Sequence, residues 1–189
     1  METTDKIFFT SDIHFCHDRE FLYKPRGFDS ISEMNEAIVE RWNNVVGKED
    51  TVYILGDLML CNNEMGAELL CRLNGMKRII RGNHDTDNRV ELYRSLPNVL
   101  SVENAAYFKW NGYKFFLTHF PCLTGSLEHS DAKHTLINLF GHTHSKLLFY
   151  EDRPYMYNVV MDAHNSIPVC ISEIVSDIEK KVEECKAML

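Results

Sequence analysis

Short apolar runs recur along the chain, and each gives way at once to polar residues of one chemical kind. Ile7-Phe8-Phe9-Thr10 leads into Ser11-Asp12-Ile13-His14, and Val52-Tyr53-Ile54-Leu55 leads into Gly56-Asp57. Arg78-Ile79-Ile80-Arg81 leads into Gly82-Asn83-His84-Asp85, Phe115-Phe116-Leu117 into Thr118-His119, and Leu136–Phe140 into Gly141-His142-Thr143-His144. Such short runs, bounded by turn chemistry, predict buried strands. A glycine just after a strand permits a sharp turn and a close backbone approach. In open α/β sheets ligands sit beyond the carboxyl ends of the strands. Strands lying side by side would bring these tips to one place.

Other segments carry a helical period. Residues 30–42 set Ile31, Met34, Ile38 and Trp42 on one face, with Ser30 and Glu33 spaced as a capping box. Residues 64–73 predict a shorter helix, and Ile171, Ile174, Val175, Ile178, Val182 and Cys185 form an amphipathic stripe near the C-terminus. That stripe predicts core packing, with the acidic residues between 173 and 184 as its solvated face. Asn111-Gly112 between aromatic runs predicts a type I′ hairpin. Residues 146–150 and 156–160 predict later strands. The sum is an α/β chain with antiparallel parts.

Composition narrows the class. The chain has 189 residues, 44% hydrophobic and 25% charged, which excludes disordered, collagenous and mucin-like chains. The length, with no repeat or linker, predicts one domain over 1–189. No run approaches the roughly 18 apolar residues of a membrane span. The start, Met1-Glu2-Thr3-Thr4-Asp5-Lys6, lacks the pattern of a secretion signal, so a cytoplasmic protein is expected. Six cysteines without a C-x-x-C spacing then read as reduced, mostly buried thiols, not as a zinc ribbon. The net charge of −8, with no basic stripe, argues against long nucleic acid as a partner. A small phosphorylated substrate stays compatible with that charge if bound metal supplies the local positive field. Nothing in the sequence sets the oligomeric state.

Five of the nine histidines, at 14, 84, 119, 142 and 144, follow directly on the apolar runs, with Asp12, Asp57 and Asn83 among them. Each motif alone has a plain structural reading as a turn or cap. Together they form a mixed oxygen and nitrogen set suited to borderline divalent ions, manganese first, with iron, zinc, nickel or cobalt as alternatives. Two ions about 3.5–4 Å apart need an anionic bridge, which one carboxylate can provide.

Taken in order, D-x-H, G-D, G-N-H-D, a lone histidine after a strand, and G-H-T-H resemble the calcineurin-like metallophosphoesterase family. The resemblance spans residues 8 to about 168. The stretch Ser11 through His17, with Pro25-Arg26-Gly27-Phe28 and Glu33-Met34-Asn35, is similar to small stand-alone bacterial and phage-type members. The resemblance implies a four-layer sandwich of two mixed β-sheets flanked by helices, with no cap domain. It implies a first metal held by Asp12, His14, Asp57 and His144, and a second by Asp57, Asn83, His119 and His142, with Asp57 bridging. His84 matches the catalytic histidine. The segment Thr118-His119-Phe120-Pro121 departs from the family's frequent Gly-His-Gly context.

The implied activity is hydrolysis of a phosphomonoester or phosphodiester of a small substrate by a metal-bound hydroxide, with His84 serving the leaving oxygen. The alternative is a catalytically silent scaffold of the same fold that binds protein. Other polar residues have divided readings. His17 contacts substrate or packs in its loop. Arg26 reads first as a surface arginine, with a phosphate clamp as its functional alternative. Asp85 reads first as a turn cap, with orientation of His84 as the alternative. His164 and Asn165 are candidates for lining the site, and His129 and His134 read as surface or structural residues.

Overall fold

The parallel strands of the larger sheet are laid down through helical crossovers, as parallel pairing requires. In the computed structural model, which describes residues 6–125 and 131–187, β1 (Ile7–Thr10) is followed by the short α1 (Glu20–Tyr23) and by α2 (Ile31–Val45). Then come β2 (Thr51–Ile54), α3 (Asn63–Arg72), β3 (Met76–Ile80), α4 (Asp87–Ser95) and β4 (Val99–Glu103). A hairpin of β5 (Ala106–Trp110) and β6 (Tyr113–Leu117) precedes β7 (Leu136–Phe140), β8 (Met156–Asn158), β9 (Val169–Cys170) and α5 (Ile171–Ala187). The larger sheet has the order β4-β3-β2-β1-β9, parallel except for β9. The smaller has the order β5-β6-β7-β8, parallel except for β5. Two mixed sheets flanked by helices are thus the architecture, as the resemblance implied.

The inner strands β1 and β2 of the larger sheet face a core cluster on each side, which is why they read as unbroken apolar runs. Phe8, Val52, Ile54 and Ile79 join the core cluster formed with Met34, Ile38 and Trp42 of α2 and Leu69 and Leu70 of α3. Phe9, Leu55 and Ile80 face the other way, into a cluster with Phe115 and Leu117 of β6, Ile137 and Leu139 of β7, and the α5 stripe from Ile171 to Val182. Tyr157 donates its hydroxyl to Asp177 at 2.6 Å, tying the smaller sheet to α5. Among the described residues no helix is long and apolar enough to cross a membrane.

Several sequence expectations change in detail. Ser30 does cap α2, accepting from the Glu33 N–H at 3.2 Å, but Glu33 returns its carboxylate to the Asp29 N–H. The box is therefore closed one residue early. Asn111 and Gly112 have φ of 47° and 88°, as a type I′ turn needs. Residues 146–150 form no strand and make only a bridge of Phe149 to Tyr157. The reason is Asn158, whose side-chain amide takes the carbonyls of Ser145 and Leu147 at 3.0 Å each, replacing a ladder with side-chain bonds. Residues 156–160 form β8 only to Asn158, and Val160 bridges Ser11 beyond the tip of β1. That bridge joins the two sheets where the polar motifs lie.

Lys77 in β3 is fully buried, and its ammonium donates to the carbonyls of Leu73 at 2.7 Å and Gly75 at 2.9 Å. Burial pushes its pKa down to about 8. A base with a lowered folded pKa binds fewer protons folded than unfolded above that value, so stability should rise with pH between about 8 and 10. Urea unfolding across that range should show a gain on the order of 2 kcal/mol, absent in Lys77→Met. The same slope in both proteins would contradict this role for Lys77.

Candidate metal centre

The motif residues gather through an unusual backbone. Asp12, His14, Asp57, His142 and His144 all have φ between 49° and 71°, the left-handed region. Each such non-glycine residue costs about 1–2 kcal/mol. Strain of this kind clusters where the surrounding structure fixes a functional geometry. Beyond the tips of β1 and β2 the two chains stay bonded, Asp12 N–H to the Gly56 carbonyl and His14 N–H to the Asp57 carbonyl, each at 3.0 Å. Two glycines make room for the carboxylates. A Cβ on Gly82 would stand 2.2 Å from Asp57 Oδ1, and one on Gly141 would stand 2.6 Å from Asp12 Oδ2.

All seven residues expected as ligands are brought together. The ligand atoms of Asp12, His14 and His144 lie within 4.8 Å of one another, as do those of Asp12, Asp57 and His119. Asn83 Oδ1 stands 2.8 Å from His119 Nε2 and 2.9 Å from His142 Nδ1. Asp57 stands between the groups: its Oδ2 is 3.8 Å from His14 Nε2 and 3.5 Å from His119 Nε2. Its Oδ1 accepts the His84 N–H at 2.8 Å. One oxygen of Asp57, rather than both, therefore faces the two groups.

The imidazole tautomers are set from behind. His119 Nδ1 lies 2.7 Å from the Leu55 carbonyl, which can only accept, so Nδ1 carries the proton and Nε2 offers a lone pair. That lone pair and the Asn83 oxygen face each other at 2.8 Å, an arrangement that a cation between them stabilises. His144 Nδ1 lies 3.0 Å from Asp162 Oδ2, leaving Nε2 turned toward Asp12 Oδ1 at 3.6 Å. Asp12 Oδ1 and both ring nitrogens of His14 are buried with no hydrogen-bond partner. Orphans of this kind cost about 1–3 kcal/mol each. Burial lowers the His14 pKa, so the ring is neutral and ligand-competent. Burial opposes charge on Asp12, but the facing imidazoles outweigh it and hold its pKa below the usual value. Two carboxylates, an amide and four imidazoles, with unpaired buried donors and acceptors at their centre, fit divalent metal.

Two residues of divided reading act behind this group. Arg26 is neither a surface arginine nor a phosphate clamp. Its side chain is 1% exposed and pairs with Asp162 at 2.7 Å, while it also donates to the backbone carbonyls of Asp12 at 2.7 Å and Ile13 at 3.0 Å. Every face of the guanidinium is used inside the protein. Asp85 accepts from Gly82 N–H at 2.8 Å, the turn role first read for it, and also from Asp57 N–H at 2.8 Å and the Tyr93 hydroxyl at 2.9 Å. It clasps two motif loops together and makes no bond to the His84 ring.

Asp162 was not found from the sequence. Burial raises its pKa, but His144 and Arg26 outweigh that and hold it far below the usual carboxylate range. Burial works against charge on His144, yet Asp162 and Asp12 raise its pKa overall. His84 is exposed at the rim, with Nε2 4.0 Å from Asp57 Oδ2. His17 packs its ring 5.3 Å from that of His14 and 6.4 Å from that of His84. Burial and the neighbouring imidazoles lower its pKa to about 4. His164 instead meets the Asn158 carbonyl at 2.9 Å and the Tyr157 ring, and makes no bond or ring contact with the seven. The carbonyl of Asn165 accepts from Arg41 at 2.9 Å. His134 is exposed beside Asp131, and His129 lies outside the described residues.

The family model for calcineurin-like phosphoesterases matches residues 5–183. An uncharacterised protein of Methanocaldococcus jannaschii is 36% identical over 185 residues, covering 93% of this chain and 92% of its own length. The gene 66 protein of Mycobacterium phage D29 is 31% identical over 199 residues, covering 92% and 98%. A crystal structure of a protein of unknown function from Aquifex aeolicus superposes with a TM-score of 0.66 at 19% identity, covering 92% of this chain and 99% of that one.

Asp162 fixes the His144 ring, so Asp162→Asn should weaken manganese binding by about 10–100-fold, the usual effect of losing such a partner. Titration followed by the manganese EPR signal measures this, with circular dichroism as the control for folding. Unchanged affinity in a folded variant would contradict the assignment.

Proposed function

This chain belongs to the calcineurin-like phosphoesterase family, and from that premise we propose that it is a divalent-metal-dependent hydrolase of phosphomonoesters or phosphodiesters of a small substrate. The observation that carries the proposal is Asp57 Oδ2, set between His14 and His119 beside the orphaned Asp12 Oδ1. In this reading Asp12, His14, Asp57 and His144 hold one ion, and Asp57, Asn83, His119 and His142 hold a second. Manganese is the first choice, with iron, zinc, nickel or cobalt able to replace it. Bound there, such ions supply neutralisation of phosphate charge and acidification of water.

The remaining work falls to the chain. Asp57 contributes one anionic oxygen between two cationic positions and loses its other oxygen to a backbone bond, so its orientation is fixed. His84 is held at its own N–H by that bond, and its ring stands exposed at the rim. From there it can hydrogen-bond to, or protonate, the departing ester oxygen. His17 borders His84 and narrows the same rim. In this reading the chain is one domain, and among the described residues no cap domain stands over the rim. The acidic net charge of −8 suits a small substrate better than long nucleic acid. Its six unbridged cysteines suit the reducing cytoplasm.

Metal-stripped protein should regain hydrolysis of p-nitrophenyl phosphate or its bis ester when one of manganese, nickel, cobalt, zinc or iron is restored. No turnover with any of them would favour a silent scaffold. Asp57→Asn should abolish paired metal binding and turnover together; near-normal turnover with two ions bound would refute the bridging role. His84→Ala should keep its metal and lose about 10²–10⁴-fold in rate, most for poor leaving groups. An equal loss for every leaving group would exclude His84 as the proton donor.

A further inference from the structure

The departure at Thr118-His119-Phe120-Pro121 builds something beside the metal centre. The Phe120 ring lies edge-on to the His142 ring at 4.6 Å and to the His119 ring at 5.0 Å, yet half of Phe120 is exposed. It forms one wall of a cleft of about 610 Å³. Phe116, Pro121 and Cys122 continue that wall, while Asn83 and His119 make the end that opens on the ligand group. Arg81 and Asn104 supply polar groups along the edge. Arg81 spends its Nε on the Asp85 carbonyl at 2.8 Å and one terminal nitrogen on Asp87 at 2.8 Å, so it is held in place at the rim. The cleft is continuous with the site because two of the residues expected as ligands line both.

We propose that this cleft seats a flat unsaturated ester group of the substrate, with Phe120 as the residue that selects it. The inference rests on the phosphoesterase reading above and narrows it to esters carrying an aryl or nucleobase group. A phosphate centred on the ligand group places one ester arm toward Asn83 and His119. That arm meets two phenylalanine side chains and a proline. Flat π-systems gain most from such walls, because ring faces and edges pack without losing rotamer freedom. The edge polar groups of Arg81 and Asn104 can bond ring heteroatoms, which an aryl group lacks and a nucleobase has. A small alkyl group would leave the cleft wet and unfilled.

Three esters that share p-nitrophenolate as leaving group but differ in the second arm test this: methyl, phenyl and thymidine-5′. The native protein should favour the phenyl and thymidine esters over the methyl ester in kcat/KM, through KM. Phe120→Ala should shrink that preference by about tenfold, and Phe120→Tyr should restore it. A preference for thymidine over phenyl would identify the nucleobase as the occupant, and equal values the bare aryl group. No preference in the native protein, or a preference untouched by Phe120→Ala, would overturn the proposal. Binding of phenylphosphonate against methylphosphonate, followed by NMR on native protein and both variants, reads the cleft without turnover. If no ester is hydrolysed, the phosphoesterase reading fails while this binding comparison still decides the cleft. Tighter binding of the phenyl compound, lost in Phe120→Ala, supports it, and equal binding refutes it.

Discussion

Two buried carboxylates, Asp12 and Asp57, face the same small space, with ligand oxygens within 4.8 Å of each other. At that separation their repulsion is about 3 kcal/mol even at an effective dielectric near 20. Left alone, the pair would take up a proton or push its loops apart. The chain instead surrounds them with imidazoles: Nε2 of His14 and His144 each stand 3.6 Å from Asp12 Oδ1, and Nε2 of His119 stands 3.5 Å from Asp57 Oδ2. A divalent cation fits such an arrangement. The strained backbone, the glycines and the supporting hydrogen bonds all serve to hold this anionic, acceptor-rich space open.

The support lies mostly behind the ligands. Asp85 binds the loop after β2 to the loop after β3 through the N–H groups of Asp57 and Gly82. Arg26 binds the loop after β1 to Asp162, and Asp162 reaches His144 in the loop after β7. The loops after β1, β2, β3 and β7 are thereby tied in pairs by buried charged groups, while the loop after β6 is tied through the His119 ring to the Leu55 carbonyl. Losing one of these ties would leave a buried charge unpaired, which is more costly than losing the tie itself. His84 and Phe120 stand exposed at the rim, with His17 half-buried beside them.

Much of this was legible in the sequence because each ligand sits directly after an apolar run, where strand and chemistry are adjacent in the chain. β1 and β2 announced themselves as unbroken apolar stretches and the α2 and α5 stripes did so by their period, whereas β4, a partly exposed edge strand, and the two-residue β9 carried no such run. Asp162 stayed hidden because its partner Arg26 lies 136 residues away, and no local pattern marks such a pair. Arg26 misled for the same reason: an arginine between a proline and a glycine looks solvated until its acceptors are known. Helix α4 was missed because it buries only Val90 and Tyr93, too few to set a period. Residues 146–150 looked like a strand by hydropathy, but the Asn158 side chain took the carbonyls of Ser145 and Leu147.

We propose that one oxygen of Asp57 separates two cation positions. Crystals grown with excess manganese, measured at its absorption edge, test it most directly. Two anomalous peaks should flank Asp57 Oδ2, one toward His14 and His144 and the other toward Asn83, His119 and His142. Solvent alone between these side chains, or a lone peak elsewhere, would contradict the account.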